Sequence, residues 1–151
     1  LTREVVVQNL SATDKRSALE ELVRVLEKAG KLKGFDAEKV LDALVEREKL
    51  GSTGIGKGIA VPHAKIEGLP DIIGAFGQSS KGIEFNALDG EPVYVVFLVL
   101  APPEKKDEYI KILQRISNAA RRTNFCKFLR QAKTLDEILE IFSEIDQVVP
   151  I

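Results

Sequence analysis

Val93-Tyr-Val-Val-Phe-Leu-Val-Leu100 is apolar on both faces of an extended chain. A strand with one wet face alternates apolar and polar residues; this one does not, so it reads as a central strand covered on two sides. Ala101-Pro-Pro103 ends it. C-terminal to it, residues 104–122 read as a helix with Ile110, Leu113 and Ile116 inward, and 124–131 as a short helix. Thr134-Leu-Asp-Glu137 is a capping box that opens a last helix, with Ile138, Leu139, Ile141, Phe142 and Ile145 apolar. N-terminal to it, Asp89-Gly90 marks a turn, Ile83-Glu-Phe85 a short strand and 72–78 a longer one. Ile59-Ala-Val61 is a short apolar strand stopped by Pro62-His63. Residues 4–8 are a further strand. A helix over 14–29, capped by Thr13 or Ser11, carries Leu19, Leu22, Val23 and Leu26 on one stripe and stops at Gly30. Asp36 caps a second helix, with Val40, Leu41, Leu44 and Val45 on one side, which ends in Glu46-Arg47-Glu48. Helices on both sides of a buried sheet give a three-layer α/β/α fold, expected as one domain over residues 1–151.

The composition narrows the classes of function. Formal net charge is −1, from 22 Lys and Arg against 23 Asp and Glu, so the whole-chain charge gives no reason to expect nucleic acid or an anionic membrane as partner. The longest apolar run, about 93–101, is too short to span a bilayer. The first 30 residues are amphipathic and charged, without a signal-peptide core, so a cytoplasmic location is expected. The single cysteine, Cys126, permits no internal disulfide and no zinc site built from Cys pairs. It lies in a helical apolar stretch and reads as a buried, inert thiol.

Gly51-Ser-Thr-Gly-Ile-Gly-Lys-Gly58 holds four glycines in eight residues, a loop that bends tightly or approaches something closely. Gly51-x-x-x-x-Gly56-Lys57 matches the first seven positions of a P-loop. The eighth, which should be Ser or Thr, is Gly58. The order is also helix, loop, strand, where a P-loop needs strand, loop, helix. The dinucleotide fingerprint fails as well, because Ile59 stands where its last glycine belongs.

His63 is the only histidine. A lone histidine is ordinarily a residue at the surface or the edge of the core with no role. Its place after a strand and a proline, beside a glycine-rich loop, is where α/β folds put ligand sites. As a general base it would need a nucleophile and an orienting carboxylate, for which Ser52, Thr53 and Glu48 are available. As a metal ligand it would have only carboxylates as company. As a nucleophile it needs one free ring nitrogen, the other held by a carbonyl or carboxylate, and donors to compensate an added phosphoryl charge. Arg47 offers bidentate donors; Ser52, Thr53 and the loop N–H groups, that of Gly54 included, add more. Otherwise Arg47 is a solvated charge.

Glu46-Arg-Glu-Lys-Leu-Gly-Ser-Thr-Gly-Ile-Gly-Lys-Gly-Ile-Ala-Val-Pro-His-Ala64 resembles the signature of the type-2 enzyme IIA domain (fructose, mannitol and nitrogen-regulatory) of the bacterial phosphotransferase system. Lys81-Gly-Ile-Glu-Phe85, Leu88-Asp-Gly90, the strand over 93–102 and the helical C-terminal third resemble that family too, so the likeness covers essentially the whole chain. It implies a mixed sheet and a phosphohistidine intermediate, with His63 as the phosphoacceptor through Nε2 and Arg47 as the active-site arginine. It also implies a histidine-phosphorylated HPr-type carrier as donor and an enzyme IIB cysteine or a regulated protein as acceptor. No metal, nucleotide or other cofactor is implied. Many members carry a second histidine where this chain has Tyr109, a residue that hydrogen-bonds near the phosphate or merely packs. The expectation is a phosphocarrier of the nitrogen-regulatory type. Alternatives are a IIA subunit feeding a fructose- or mannitol-type permease, a non-enzymatic binding module like the related cytoplasmic domains of anion exchangers, and a hydrolase using Ser52 or Thr53 with His63.

Overall fold

The computed structural model describes residues 5–122 and 124–148, with side chains described to residue 141. β6 (Val93–Ala101) is central in a mixed six-stranded sheet. β5 (Ile73–Ile83) runs antiparallel along one side of it, with Phe76 opposite Phe97 and Ile73 opposite Leu100. β1 (Val6–Val7) lies parallel outside β5. On its other side β6 pairs in parallel with two short strands in succession, β3 (Ile59–Ala60) and β4 (His63–Lys65). β2 (Gly54–Gly56) pairs antiparallel with β3.

Both faces of β6 are covered, as its apolar run requires. Val96, Leu98 and Leu100 meet α1 (Lys15–Lys28) and α2 (Ala37–Lys49) through Leu19, Leu22, Leu26, Leu41 and Leu44. Each fully buried leucine contributes about 1.5–3 kcal/mol of burial. Val95 and Phe97 face a second cluster with Phe125, Leu129 and Ile138 from α4 (Phe125–Gln131) and α5 (Leu135–Val148). The result is the three-layer α/β/α arrangement.

Several elements differ from the sequence reading. The cap of α1 is Asp14, whose carboxylate accepts from Ser17 N–H at 2.9 Å; neither Thr13 nor Ser11 caps it. The segments at 72–78 and 83–85 join into the single long strand β5, which carries a register irregularity between Gln78 and Ile83. The strand at 59–61 does not stop at Pro62: pairing to β6 resumes at His63, in the same register on both sides, Ala60 opposite Val96 and His63 opposite Val99. The glycine loop is half strand. Lys57 and Gly58, at φ 58° and 80°, turn the chain from β2 into β3. Residues 104–122 begin as a 3-10 turn (Pro103–Lys105) and continue as α3 (Lys106–Ala120). The buried face of α3 carries Tyr109, Ala119 and Ala120, with Leu113 and Ile116 half-buried, whereas Ile110 is exposed. Leu113 and Ile116 thus face inward as expected, and Ile110 gives way to Tyr109, which packs against Val99 and Ala101. Thr134 caps α5 through Glu137 N–H, but Glu137 returns its carboxylate to Lys133 N–H. The side chains of Phe142 and Ile145 lie outside the described residues.

Gly54 is glycine for a steric reason. A Cβ there would meet the backbone Cα of Ala87 at 2.9 Å, and Leu88 N–H donates to the Gly54 carbonyl across the same contact. Gly54→Ala therefore pushes apart the two segments and is expected to cost about 1–3 kcal/mol, as overpacking does. Chemical denaturation measures it; an unchanged midpoint would show that the Ala87 segment yields freely.

Candidate functional site

α2 ends in Arg47 and Glu48, and the chain then turns through Gly51, Ser52 and Thr53 into β2. Its polar groups bind one another. Arg47 Nη1 donates to the Gly51 carbonyl at 2.8 Å. Glu48, 8% exposed, takes the Thr53 N–H at 3.0 Å and also the Thr53 hydroxyl. Ser52 Oγ donates to the Phe85 carbonyl at 2.7 Å and accepts from Gly54 N–H at 3.0 Å. The hydroxyls of Ser52 and Thr53 and the amide of Gly54 are thus committed within the chain. Their work here is to hold the loop rigid.

His63 opens β4, half-buried, just past the proline. Its Nδ1 lies 2.6 Å from the carbonyl oxygen of Val61. A carbonyl only accepts, so Nδ1 carries the proton and the neutral ring keeps its lone pair on Nε2. No described residue bonds Nε2. Tyr109 of α3 packs edge-on to the imidazole, ring centroids 5.8 Å apart. The tyrosine is 5% exposed, and its hydroxyl has no hydrogen-bond partner among the described residues. Burial pushes its pKa up to about 12 despite the charge of Arg47. The phenol is therefore a neutral donor throughout the ordinary pH range. Burial also lowers the pKa of His63, as does Arg47; the bond to Val61 and the charge of Glu48 act the other way.

The site thus brings together His63, Arg47 and Tyr109 with three groups still unspent: Nε2, the remaining guanidinium N–H groups and the phenol O–H. One free nucleophilic nitrogen among uncommitted donors suits attack on an electrophile that carries negative charge. Triad chemistry does not fit this arrangement. The candidate hydroxyls bond Phe85 and Glu48, and what orients His63 is a carbonyl. Among the described residues no group of three or more His, Cys, Asp or Glu is placed to hold a metal. Cys126 is half-buried against Gly58, its thiol pKa raised by burial, in keeping with a packing role. In the sequence Glu48 is legible only as a possible partner for a general base. A carboxylate at a helix end beside an arginine reads as solvated, and only the turn into β2 encloses it.

Residues 1–145 match the family model described as the phosphoenolpyruvate-dependent sugar phosphotransferase system, EIIA 2. The chain belongs to this family of phosphotransfer components. It is 36% identical over 147 residues to the fructose-specific EIIABC component of Bacillus subtilis, a match that covers 97% of this chain and 23% of that protein's length. It is 36% identical over 140 residues to a nitrogen regulatory protein of Bradyrhizobium diazoefficiens, covering 93% of this chain and 90% of the relative. Among solved structures, the nitrogen regulatory protein IIA-Ntr of Neisseria meningitidis superposes with a TM-score of 0.84 at 28% identity, covering 91% of this chain and 92% of that one. IIA mannitol of Escherichia coli gives 0.78 at 25%, covering 93% and 97%. No helix among the described residues is long and apolar enough to cross a membrane.

Because burial opposes the imidazolium, His63 is expected to titrate below the ordinary value of 6.5, with the neutral ring protonated at Nδ1. Ring-nitrogen NMR shifts followed against pH check both points. The linkage has a definite sign. The folded chain binds the proton less well than the unfolded one, so stability conferred by His63 is present above 6.5 and is lost as pH falls below it. A midpoint above 6.5, or a neutral ring protonated at Nε2, contradicts this account of the site.

Proposed function

We propose that this domain is a histidine phosphocarrier, and that His63 takes a phosphoryl group on Nε2 from a histidine-phosphorylated carrier of the HPr type. The observation that carries the reading is the bond between His63 Nδ1 and the Val61 carbonyl, which leaves Nε2 as the free nucleophile. In the transfer, the Nε2–P bond forms as the donor's N–P bond breaks. The electron pair of the broken bond stays on the donor imidazole, and the Nδ1 proton remains where it is. The ring of His63 becomes cationic and its new phosphoryl oxygens anionic. Arg47 meets the oxygens with its uncommitted N–H groups, and Tyr109 adds a neutral O–H. Ser52, Thr53 and Gly54 form the rigid wall of the site. The group then passes to a second protein.

Two uses of that relay follow. The regulatory, nitrogen-type use is supported by the closer superposition on IIA-Ntr. Supply of a fructose-type permease, through a IIB cysteine, is supported by equal identity to the fructose-specific component. A solved complex pairs IIA mannitol with phosphorylated IIB mannitol at 24% identity to this chain, a likeness of fold alone.

Incubation with phosphoenolpyruvate, enzyme I and HPr is expected to add one acid-labile phosphate by intact mass. His63→Ala should abolish it; a variant that still gains the phosphate sinks the proposal. Arg47→Ala is expected to slow acceptance about 100-fold, in the range lost with a transition-state donor. Tyr109→Phe keeps the packing and should slow it several-fold. Wild-type rates in both variants would reduce these residues to packing. A fructose-type IIB that drains the phosphate rapidly would decide for the permease use.

A further inference from the structure

A chain of three hydrogen bonds runs from the imidazole to the interior. His63 Nδ1–H donates to the Val61 carbonyl at 2.6 Å. Val61 N–H donates to the Thr53 carbonyl at 3.0 Å. Thr53 N–H donates to the Glu48 carboxylate at 3.0 Å, and the Thr53 hydroxyl adds a second bond to it. Beyond Glu48 stands Lys15 of α1, Nζ 3.6 Å from the carboxylate and 5.4 Å from the Phe85 ring centroid. The carboxylate side chain is 4% exposed, and nothing in the relay itself uses it.

We infer that Glu48 is a positioning residue for the phosphoryl site: acting through Thr53 and Val61, its buried charge keeps the His63 proton on Nδ1 and steadies the positive charge that the ring gains when Nε2 attacks. The inference rests on the phosphocarrier reading for its rate consequence, but its electrostatic part concerns the unphosphorylated chain. The two links through Thr53 and Val61 are positional. Each residue spends its N–H and its C=O in different peptide groups, so no conjugated path carries charge between them. Glu48 acts by fixing where the Val61 carbonyl points and, through space, by favouring a cationic ring. The charges around His63 divide accordingly. Arg47, at the preceding position of α2, disfavours the cation and stands ready for the phosphoryl oxygens. Glu48, linked to Nδ1 by the hydrogen-bond chain, favours the cation. Lys15 damps Glu48, and Tyr109 of α3 stays neutral. Neighbours in sequence thus serve opposite ends of one bond-forming event.

Glu48→Gln keeps an oxygen to accept from Thr53 N–H and removes the charge. A purely structural Glu48 predicts an unchanged titration of His63 in this variant. The inference predicts a His63 midpoint moved to lower pH by ring-nitrogen NMR and a smaller fraction of neutral rings protonated at Nδ1. It also predicts a single-turnover acceptance from phospho-HPr about tenfold slower, with the donor KM unchanged. Lys15→Gln tests the same charge from the other side, without touching the Thr53 clamp. With Glu48 undamped, the midpoint should move to higher pH. If Glu48→Gln fails to fold, the Lys15→Gln titration alone decides. Unmoved midpoints, or shifts of the same sign in both variants, overturn the inference. Because titration needs no phosphate, a wild type that never accepts phosphoryl refutes the carrier reading without touching this result.

Discussion

Pro62 has no N–H to give, yet the strand it interrupts pairs with β6 on both sides of it. The register survives because Val99 N–H still reaches the Pro62 carbonyl at 3.0 Å. Val61, the residue before the proline, has other partners. Val61 sends its N–H to Thr53 and offers its carbonyl to the ring of His63. Along this edge Gly58 and Pro62 offer their carbonyls to β6 while Val61 faces the other way, so its carbonyl stands outside the β6 ladder and is free to fix the imidazole. Anchoring on both sides by β6, buried on its two faces, holds that carbonyl steady.

The parts of the fold legible in the sequence are those set by a single periodicity. β6 announces itself because no position along it is polar enough for water, and α1 because Leu19, Leu22, Val23 and Leu26 recur with the helical repeat. The parts misread depend on contacts between distant segments. Glycine density marks 51–58 as a loop, but the stretch from Gly54 becomes strand because β3 and the Ala87 segment lie ready to pair with it. The first turn of α3 buries Tyr109 where the apolar pattern points to Ile110, because Val99 and Ala101 receive the tyrosine ring. His63 and Arg47 were visible as chemistry. The carbonyl that selects Nε2 was not, since a backbone acceptor has no letter in the sequence.

The loop before β2 looks in sequence like a set of donors for a phosphate, and its structure assigns those donors elsewhere. Ser52 and Thr53 satisfy buried acceptors, Phe85 O and Glu48. Opening those bonds to serve a ligand would leave a buried carboxylate short of partners, at a cost of about 1–3 kcal/mol per group. A wall built this way does not reorganise when charge arrives. It leaves the response to side chains that are uncommitted beforehand, and preorganised donors of that kind are the ones that lower a barrier.

Tyr109 bears on how many groups in such a site can change protonation. A second imidazole would share a proton with the first across the working pH range, and the two would titrate as a pair. A phenol held at about 12 does not enter that equilibrium. It stays a neutral O–H, able to donate, throughout the ordinary pH range, and it does not compete for the proton on Nδ1. The ionisation of the site then belongs to His63 alone, poised between the Val61 carbonyl and Glu48 on one side and burial with Arg47 on the other. For a group that attacks through Nε2 and keeps its proton throughout, a neighbour that donates without titrating is a consistent partner, because it meets the incoming charge and leaves the tautomer undisturbed.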